Sequence, residues 1–552
     1  MKAIFLDSVK FTTIIFFSIC KNSHQDFLFL TNSLSLSLSP SLDSIQNSLV
    51  SPGRMSVGAS SMFKVPDDVW CLVVELATHS LSQVLSLQRI NTHFRRVMKN
   101  PIMVSHLSFE VDDLSDVERM GPLSFGVRYF KAATLPASAP LERLACVPFV
   151  RCLDLMYGNF DSENFQAAIT SLHNLQRLDL SFCRQLVKIK ALPTTLRVLD
   201  VMYCTRLAEL PPMPNLEKLD ASHCPRLRTL PELPALLSVD LGYSSTVIDS
   251  TNALSTLRHL KIGHHAAPQC QQLTNLGSLC LVDCNFEHEW LCAPLTHLTT
   301  LTLVFVSYRR AHDLTCLALL TGLQNLHLET GVSDDNLACL ETLVNLKSLA
   351  VGSELISDDG LKSIGKMRGL QTLYINNCRR RQITSDGLTA LTPLRHLRSL
   401  HLSECYGINC SMRGLSALTQ LRALCIDNNV NFKDRWPITP EEEELDEMVH
   451  QDDLRGLTFL HNLTTLELFY CDMTSLRWLN KIPRLEALVV KGCDLTLNGL
   501  WDLHPCNIPS VILGERAQVT LGDSLERFRA RIEPHTRLTF EREDGPSRSS
   551  CM

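Results

Sequence analysis

From Leu175 onward the chain keeps returning to one short string: a leucine, two variable residues, an apolar residue, one variable residue and a second apolar residue. In many copies a cysteine follows three positions later. The string reads LQRLDLSFC from Leu175, LRVLDVMYC from Leu196, LEKLDASHC from Leu216, LQTLYINNC from Leu370, LRSLHLSEC from Leu397 and LTTLELFYC from Leu463. Further frames open at Leu236, Leu257, Leu276, Leu298, Leu323, Leu346, Leu421 and Leu485. Most are about 19 to 27 residues from the next, a spacing that belongs to stacked units and not to one closed core.

Each frame is a short strand whose first and last apolar side chains point inward while the residue between them points out. One such unit cannot stay folded alone. Burying a leucine contributes roughly 1.5 to 3 kcal/mol, whereas ordering each residue costs about 1 to 2 kcal/mol of backbone entropy. Neighbours must supply the missing cover. The predicted fold is α/β, a curved leucine-rich repeat solenoid with a parallel sheet on its concave side. The function expected of such a surface is to hold another macromolecule. The 552 residues then count repeats and not separate cores.

A net charge of -6 and a pI near 6.3 give no basic field to draw the chain to nucleic acid or an anionic membrane, so the expected partners are proteins. The 21 cysteines would suggest disulfides in a secreted chain. However, Cys183, Cys204, Cys224, Cys284, Cys378, Cys405, Cys471 and Cys493 share one repeat slot directly after the strand. There a small buried side chain helps satisfy turn amides, which reads as a reduced ladder. No clustered metal-ligand spacing accompanies the doublet His264-His265, so neither a metal nor a cofactor is expected.

Residues 1 to 54 differ from the rest. The stretch FTTIIFFSIC from Phe11 is too short to span a bilayer, and LSLSLSPSL from Leu34 is of low complexity. They read as a disordered leader ahead of a working start at Met55 or Met62. A secretory signal is the alternative, against which stand Asp7 and the lack of a small-x-small cleavage site. Between Val65 and Pro101, Val69, Leu72, Val73 and Leu76 fall on one helical face, and Leu87, Ile90, Phe94 and Val97 on a second. Such helices either cap the solenoid or present an apolar face to a partner.

This segment resembles an F-box: VPDDV stands for the opening leucine-proline motif, an apolar helix follows, and RINTHFRRV stands for the closing helix. Val65, Asn91 and Phe94 depart from the usual leucine, cysteine and tryptophan. An F-box followed by leucine-rich repeats is the layout of substrate-receptor subunits of Skp-cullin-F-box ubiquitin ligases. The resemblance implies a Skp-type adaptor and a cullin scaffold as partners, with Pro66, Val69, Leu72, Val73, Leu85 and Leu87 at the adaptor interface or supporting it. It also implies a cytoplasmic or nuclear location.

The expected organisation is a leader at 1 to 54, an F-box-like segment at 55 to 101, degenerate repeats at 102 to 149, the solenoid at 150 to 514, and a C-terminal cap and tail at 515 to 552. VSHLSF from Val104 and VRYFKA from Val127 are candidate strands in the transition, and VRCLDL from Val150 opens the regular series. The repeats come in two dialects. Between Leu192 and Leu236, LPTTL, LPPMPNL and LPELPAL lead into successive strands, and proline there predicts an extended convex side. From Gly331, VSDDNLACL, ISDDGLKSI and ITSDGLTAL predict capped convex helices, and this dialect resembles the cysteine-containing repeats of F-box proteins. The proline dialect resembles repeats of some bacterial effectors. About 42 residues separate the frames at Leu421 and Leu463, an acidic insertion at 428 to 457 that contains PITPEEEELDEMVHQDD. It reads as a solvated loop, with an acidic lid beside the concave face as the alternative.

In five consecutive frames the outward residue is aspartate: Asp154, Asp179, Asp200, Asp220 and Asp240. Three positions later stands a ring: Tyr157, Phe182, Tyr203, His223 and Tyr243. Neighbouring strands lie about 4.8 Å apart, so the carboxylates form a mutually repelling row that Arg177 and Lys218 soften. Carboxylates beside rings suit a basic, partly apolar protein target. The alternative is a merely soluble aspartate with rings folded over the turn. Later frames carry Lys261, Cys280, Thr302, His327, Ala350, Tyr374, His401 and Cys425 at that position, which confines a basic-ligand site to the N-terminal half.

Cys425-Ile426-Asp427 matches the Cys-x-Asp string of effector-type cysteine ubiquitin ligases, but the repeat frame makes Ile426 an inward strand residue. With no glycine-rich phosphate loop and no nucleophile elbow, the chain is expected to be non-catalytic, with chemistry supplied by partners. Two readings follow: a ubiquitin-ligase substrate receptor feeding targets to degradation, or a scaffold whose N-terminal helices only cap the repeats.

Overall fold

A computed structural model describes residues 108–542, apart from 112, 113, 115, 116, 118–126, 133, 247–254, 264–272, 274, 283–294, 296, 305–313, 330, 377–381, 406–414, 417, 428–454, 472 and 534. The chain divides into two compact units between Cys183 and Arg184.

In the first unit, β1 (Ser108–Glu110), β2 (Tyr129–Lys131), β3 (Cys152–Asp154) and β4 (Arg177–Asp179) pair in parallel, each with the next. Leu153, Leu155, Leu178 and Leu180 are inward and at most 2% exposed, with the aspartate between each pair half-buried. The helix α1 (Ser162–Ile169) starts where Asp161 caps the amides of Glu163 and Asn164 and buries Phe165 and Ile169. Phe160 stacks on Phe165 beneath it, with ring centroids 5.8 Å apart.

The second unit continues the motif as β5 (Val198–Asp200), β6 (Lys218–Asp220), β7 (Ser238–Leu241), β8 (His259–Gly263), β9 (Ser278–Val282), β10 (Thr300–Val304), β11 (Asn325–Glu329), β12 (Ser348–Gly352), β13 (Thr372–Asn376), β14 (Ser399–Ser403), β15 (Ala423–Asp427), β16 (Thr465–Phe469), β17 (Ala487–Lys491), β18 (Ser510–Gly514) and β19 (Arg537–Glu541). Every strand pairs in parallel with its successor and without register slip, inward leucine opposite inward leucine, as at Leu400, Leu424 and Leu466. A single-residue slip would turn each leucine outward, so burial fixes the register.

The two dialects differ on the convex side as their residues require. Among the described residues, no helix forms between Arg184 and Leu237, where the prolines recur. Helices α2 (Asp334–Cys339), α3 (Asp358–Lys366) and α4 (Ser385–Thr389) follow the Ser/Thr-Asp signals. Ser333 makes a capping box with Asn336, and Ser357 caps Asp359. These helices are also tied from repeat to repeat. Asp334, first residue of α2, accepts the Ser357 amide at 2.9 Å and its hydroxyl at 2.5 Å. Asp358, first residue of α3, accepts the Thr384 amide and hydroxyl, both at 2.7 Å.

The cysteine slot is likewise a tie between repeats. Cys183, Cys204, Cys224, Cys405, Cys471 and Cys493 are buried, while Cys284 and Cys378 lie outside the described residues. The Cys183 thiol donates to Leu155 O at 3.2 Å and that of Cys224 to Val201 O at 3.1 Å, each a carbonyl of the preceding repeat. Ser244 fills the same slot with a hydroxyl, donating to Ala221 O at 2.6 Å and accepting the Cys224 amide at 2.9 Å. The slot therefore bonds carbonyls as well as the turn amides expected from sequence. Burial pushes the Cys183 and Cys224 thiols up to about 12, which keeps them protonated and unreactive.

Candidate protein-binding face

The outward aspartates do more than colour a surface. In the first unit Asp154 Oδ1 accepts the Met156 amide at 3.0 Å, and Asp179 Oδ1 accepts that of Ser181 at 2.8 Å. In the second, Asp200, Asp220 and Asp240 accept the amides of Met202, Ser222 and Gly242 at 2.9, 3.0 and 2.9 Å. Each carboxylate closes an Asx turn that ends its strand and bends the chain toward the convex side. Burial raises the Asp154 carboxyl above its ordinary value; the Met156 amide opposes the shift and Asp179 adds to it.

The ring that follows each turn sits in left-handed backbone. Tyr157, Phe182, Tyr203, His223 and Tyr243 have φ between 55° and 61°. That conformation costs a residue with a Cβ about 1 to 2 kcal/mol. It is held because the ring residue's own amide continues the ladder, with Tyr157 bonded to Ser181 O at 2.9 Å, Tyr203 to Ser222 O at 3.0 Å and His223 to Gly242 O at 2.9 Å. Stacking offsets part of the cost, at about 0.5 to 1.5 kcal/mol per aromatic pair. Tyr157 lies on Phe182 at 4.6 Å, and in the second unit Tyr203 lies on His223 at 4.0 Å and His223 on Tyr243 at 4.6 Å. Tyr157 and Tyr243 remain half-exposed at 50% and 52%. The same slot holds Tyr470 and then Gly492, whose φ of +66° needs no Cβ and whose added Cβ would lie 2.5 Å from the Tyr470 ring.

The cations that border this row in register are Lys131, opposite Asp154, and Lys261, opposite Asp240. Neither Arg177 nor Lys218 makes an ion pair, because a residue two positions back on the same strand stands roughly 6.8 Å away. Lys261, opposite Asp240 on the next strand, reaches its Oδ2 at 2.9 Å. Beyond it the outward column runs in register through Cys280, Thr302, His327, Ala350, Tyr374, His401, Cys425 and on to Glu467. Tyr374 stacks on His401 at 4.1 Å, and His401 Nε2 is 3.8 Å from the Cys425 thiol. Burial holds His401 down to about 4, so its imidazole is neutral at pH 7. Ile426 is inward and 2% exposed, which places Cys425-Ile426-Asp427 within the regular strand β15.

The adaptor-side residues Pro66, Val69, Leu72, Val73, Leu85 and Leu87 lie outside the described residues, as do His264-His265 and most of the acidic insertion. Among the described residues no three His, Cys, Asp or Glu side chains are arranged to hold a metal ion, and no helix is long and apolar enough to cross a membrane. The sequence gives no sign of the Asx turns or of the left-handed rings by period alone. The recurring spacing of aspartate, two residues, ring and cysteine is the signal that carries them.

No family model matches the chain, and no curated protein matches it. Among solved structures it is similar to an internalin of Listeria monocytogenes at 18% identity, over 67% of this chain and 82% of that one, with a TM-score of 0.34. It is also similar to a leucine-rich repeat protein of Leptospira interrogans at 17% identity, over 80% of this chain and 97% of that one, with a TM-score of 0.38. The strand ladder, the inward leucines and the capped convex segments make the chain a leucine-rich repeat solenoid, a protein-binding fold.

Proposed function

We propose that this protein is the substrate-receiving subunit of a Skp-cullin-F-box ubiquitin ligase. The order of its parts carries the reading: an F-box-like run from Val65 to Val97 precedes a long repeat array. In this reading Pro66, Val69, Leu72, Val73, Leu85 and Leu87 engage or support the adaptor, the cullin scaffold joins through it, and the repeats present a protein target for ubiquitin transfer. The protein works in the cytoplasm or nucleus. The target meets Asp154, Asp179, Asp200, Asp220 and Asp240 with Tyr157, Phe182, Tyr203 and Tyr243, a set that suits a basic, partly apolar segment.

Co-purification of the full chain with a Skp-type adaptor tests the first step. Wild type should retain the adaptor and Leu72→Asp should not, with the repeats melting unchanged. A folded wild-type chain that never retains it removes the ligase reading and leaves a leucine-rich repeat scaffold. For the target face, the informative change is Asp to Asn at 179, 200 and 220. Asparagine keeps the carbonyl that closes each Asx turn and removes only the charge. Weaker target binding with a flatter salt dependence supports the assignment, and unchanged binding moves the target elsewhere.

A further inference from the structure

In a parallel ladder all the strands enter from one rim, and in the second unit that rim carries its own charge pattern. The residue two before each first inward leucine is hydrogen-bonded to its counterpart in the next repeat. The Arg398 amide donates to Gln371 O and the Arg422 amide to Arg398 O, both at 2.7 Å; the Thr464 amide then donates to Arg422 O and the Glu486 amide to Thr464 O, both at 2.8 Å. Earlier in the same slot Arg197 stands beside Glu217 and pairs with it. Arg398 and Arg422 are exposed and hold neighbouring places in the ladder, and among the described residues no carboxylate is within ion-pair distance of either. Arg368 and Arg395, three residues before Gln371 and Arg398, are exposed and make no ion pair among the described residues. Like charges on adjacent strands repel, and here they do so on a chain of net charge -6.

Beside this cluster lies a groove of about 770 Å³ that crosses the rims of β15 to β18. Gln420 and Arg422 line the β15 end, Asn462 and Thr464 the part before β16, Arg484 and Glu486 the part before β17, and Asn507 and Pro509 the β18 end. The middle is preset: Asn462 Nδ2 donates to Thr419 O at 2.6 Å, and Arg484 Nη1 donates to Asn462 Oδ1 at 2.6 Å.

We infer that this rim binds an acidic peptide segment, with its carboxylates on Arg398 and Arg422 and its backbone along the amide-lined groove. Guanidinium forks match carboxylates in pairs of hydrogen bonds. Asn462 is engaged by Thr419 O and Arg484, so the side-chain amides of Gln420 and Asn507 offer the donors and acceptors to peptide groups. The run from β14 to β17 is three strand spacings, about 14 Å, which takes about four extended residues. Glu486 repels charge at the far end, so the acidic residues of the ligand sit at the Arg398 end. The site is separate from the aspartate and ring face and does not depend on the adaptor reading.

The test is fluorescence anisotropy of the full chain with a labelled peptide of four consecutive glutamates flanked by Gly-Ser. Binding should weaken at least ten-fold when the glutamates become glutamines, and again when Arg398→Glu and Arg422→Glu are combined. Arg258→Glu, in the same rim slot elsewhere, should leave it intact, and the melting temperature should not move. Unchanged binding by the double variant overturns the inference. An equal loss with Arg258→Glu overturns it too, because the attraction is then diffuse. So does tighter capture of a single-stranded oligonucleotide by the same arginines. No binding by wild type overturns it.

Discussion

Replacing Gly387 by alanine should destabilise the repeats, although helix propensity alone says the opposite. Gly387 lies in α4, where alanine is favoured over glycine by about 1 kcal/mol. Its added Cβ would overlap Asp358 Oδ1, lie 2.7 Å from Asp358 Cγ and 3.0 Å from Leu361 Cδ1. Asp358 cannot swing away freely, since it holds both the amide and the hydroxyl of Thr384. Each bond to a carboxylate contributes about 1.5 to 3 kcal/mol; at the low end, which suits half-buried groups, losing both costs about 3 kcal/mol. The net expectation is about 2 kcal/mol of destabilisation. Urea denaturation gives the total, and hydrogen exchange at the Thr384 amide gives the local part, because repeats open locally. The decisive measurement is the double-mutant cycle. Asp358→Ala alone should cost about 3 kcal/mol, and in that background Gly387→Ala should become neutral or stabilising by up to about 1 kcal/mol. If the two changes simply add, the obstruction is not the carboxylate and the reasoning fails.

The cysteine slot should accept Cys224→Ser within about 1 kcal/mol, since Ser244 already makes that pair of bonds. Cys224→Val removes the thiol's bond to Val201 O, which keeps the Cys204 amide, and should cost about 0.5 to 1.5 kcal/mol in urea denaturation. With thiols held near 12, Cys183 and Cys224 should resist a thiol reagent at pH 8 until the chain unfolds, with only about one in 10,000 ionised. His401 links stability to acid. Its folded value of about 4 lies below the unfolded value near 6.5, so the unfolded chain binds the proton first. Its contribution is complete above about pH 6.5 and is lost as the pH falls toward 4, about 3 kcal/mol in all. His401→Gln should flatten that limb of the stability profile; a wild-type ring that titrates near 6.5 by NMR would contradict the burial argument.

The period-two reading of each frame correctly put Leu178, Leu199 and Leu219 inside with their neighbours outside, because alternation and burial act within a single strand; at Leu400 the next residue, His401, is buried as well. The Ser/Thr-Asp signals placed α2 and α3 for a similarly local reason. What the residues did not disclose are the bonds that join one repeat to the next. Asp358 reads as an ordinary first-turn acid, yet it holds Thr384, 26 positions on. Lys261 lies 21 positions from Asp240 and pairs with it, while Lys218, two positions from Asp220, makes no ion pair. Period is visible along the chain, but these partners exist only once the units are stacked in register.

Stacking also makes the two rims of the sheet unequal, and that asymmetry bears on function. At the exit rim of β5, β6 and β7 a carboxylate closes the Asx turn, a left-handed residue follows it, and the next side chain, at Cys224 and Ser244, bonds the preceding repeat. Aspartate there is therefore partly a demand of the fold, and its charge counts toward recognition only where asparagine fails to replace it. At the entry rim the slot of Arg398 and Arg422 contributes its backbone to the ladder and leaves the side chain unconstrained. The same slot holds Gln371, Thr464 and Glu486 without changing the ladder. A run of unpaired guanidiniums in a position the fold does not dictate is the stronger sign of a partner, although the exit rim has the more conspicuous sequence pattern.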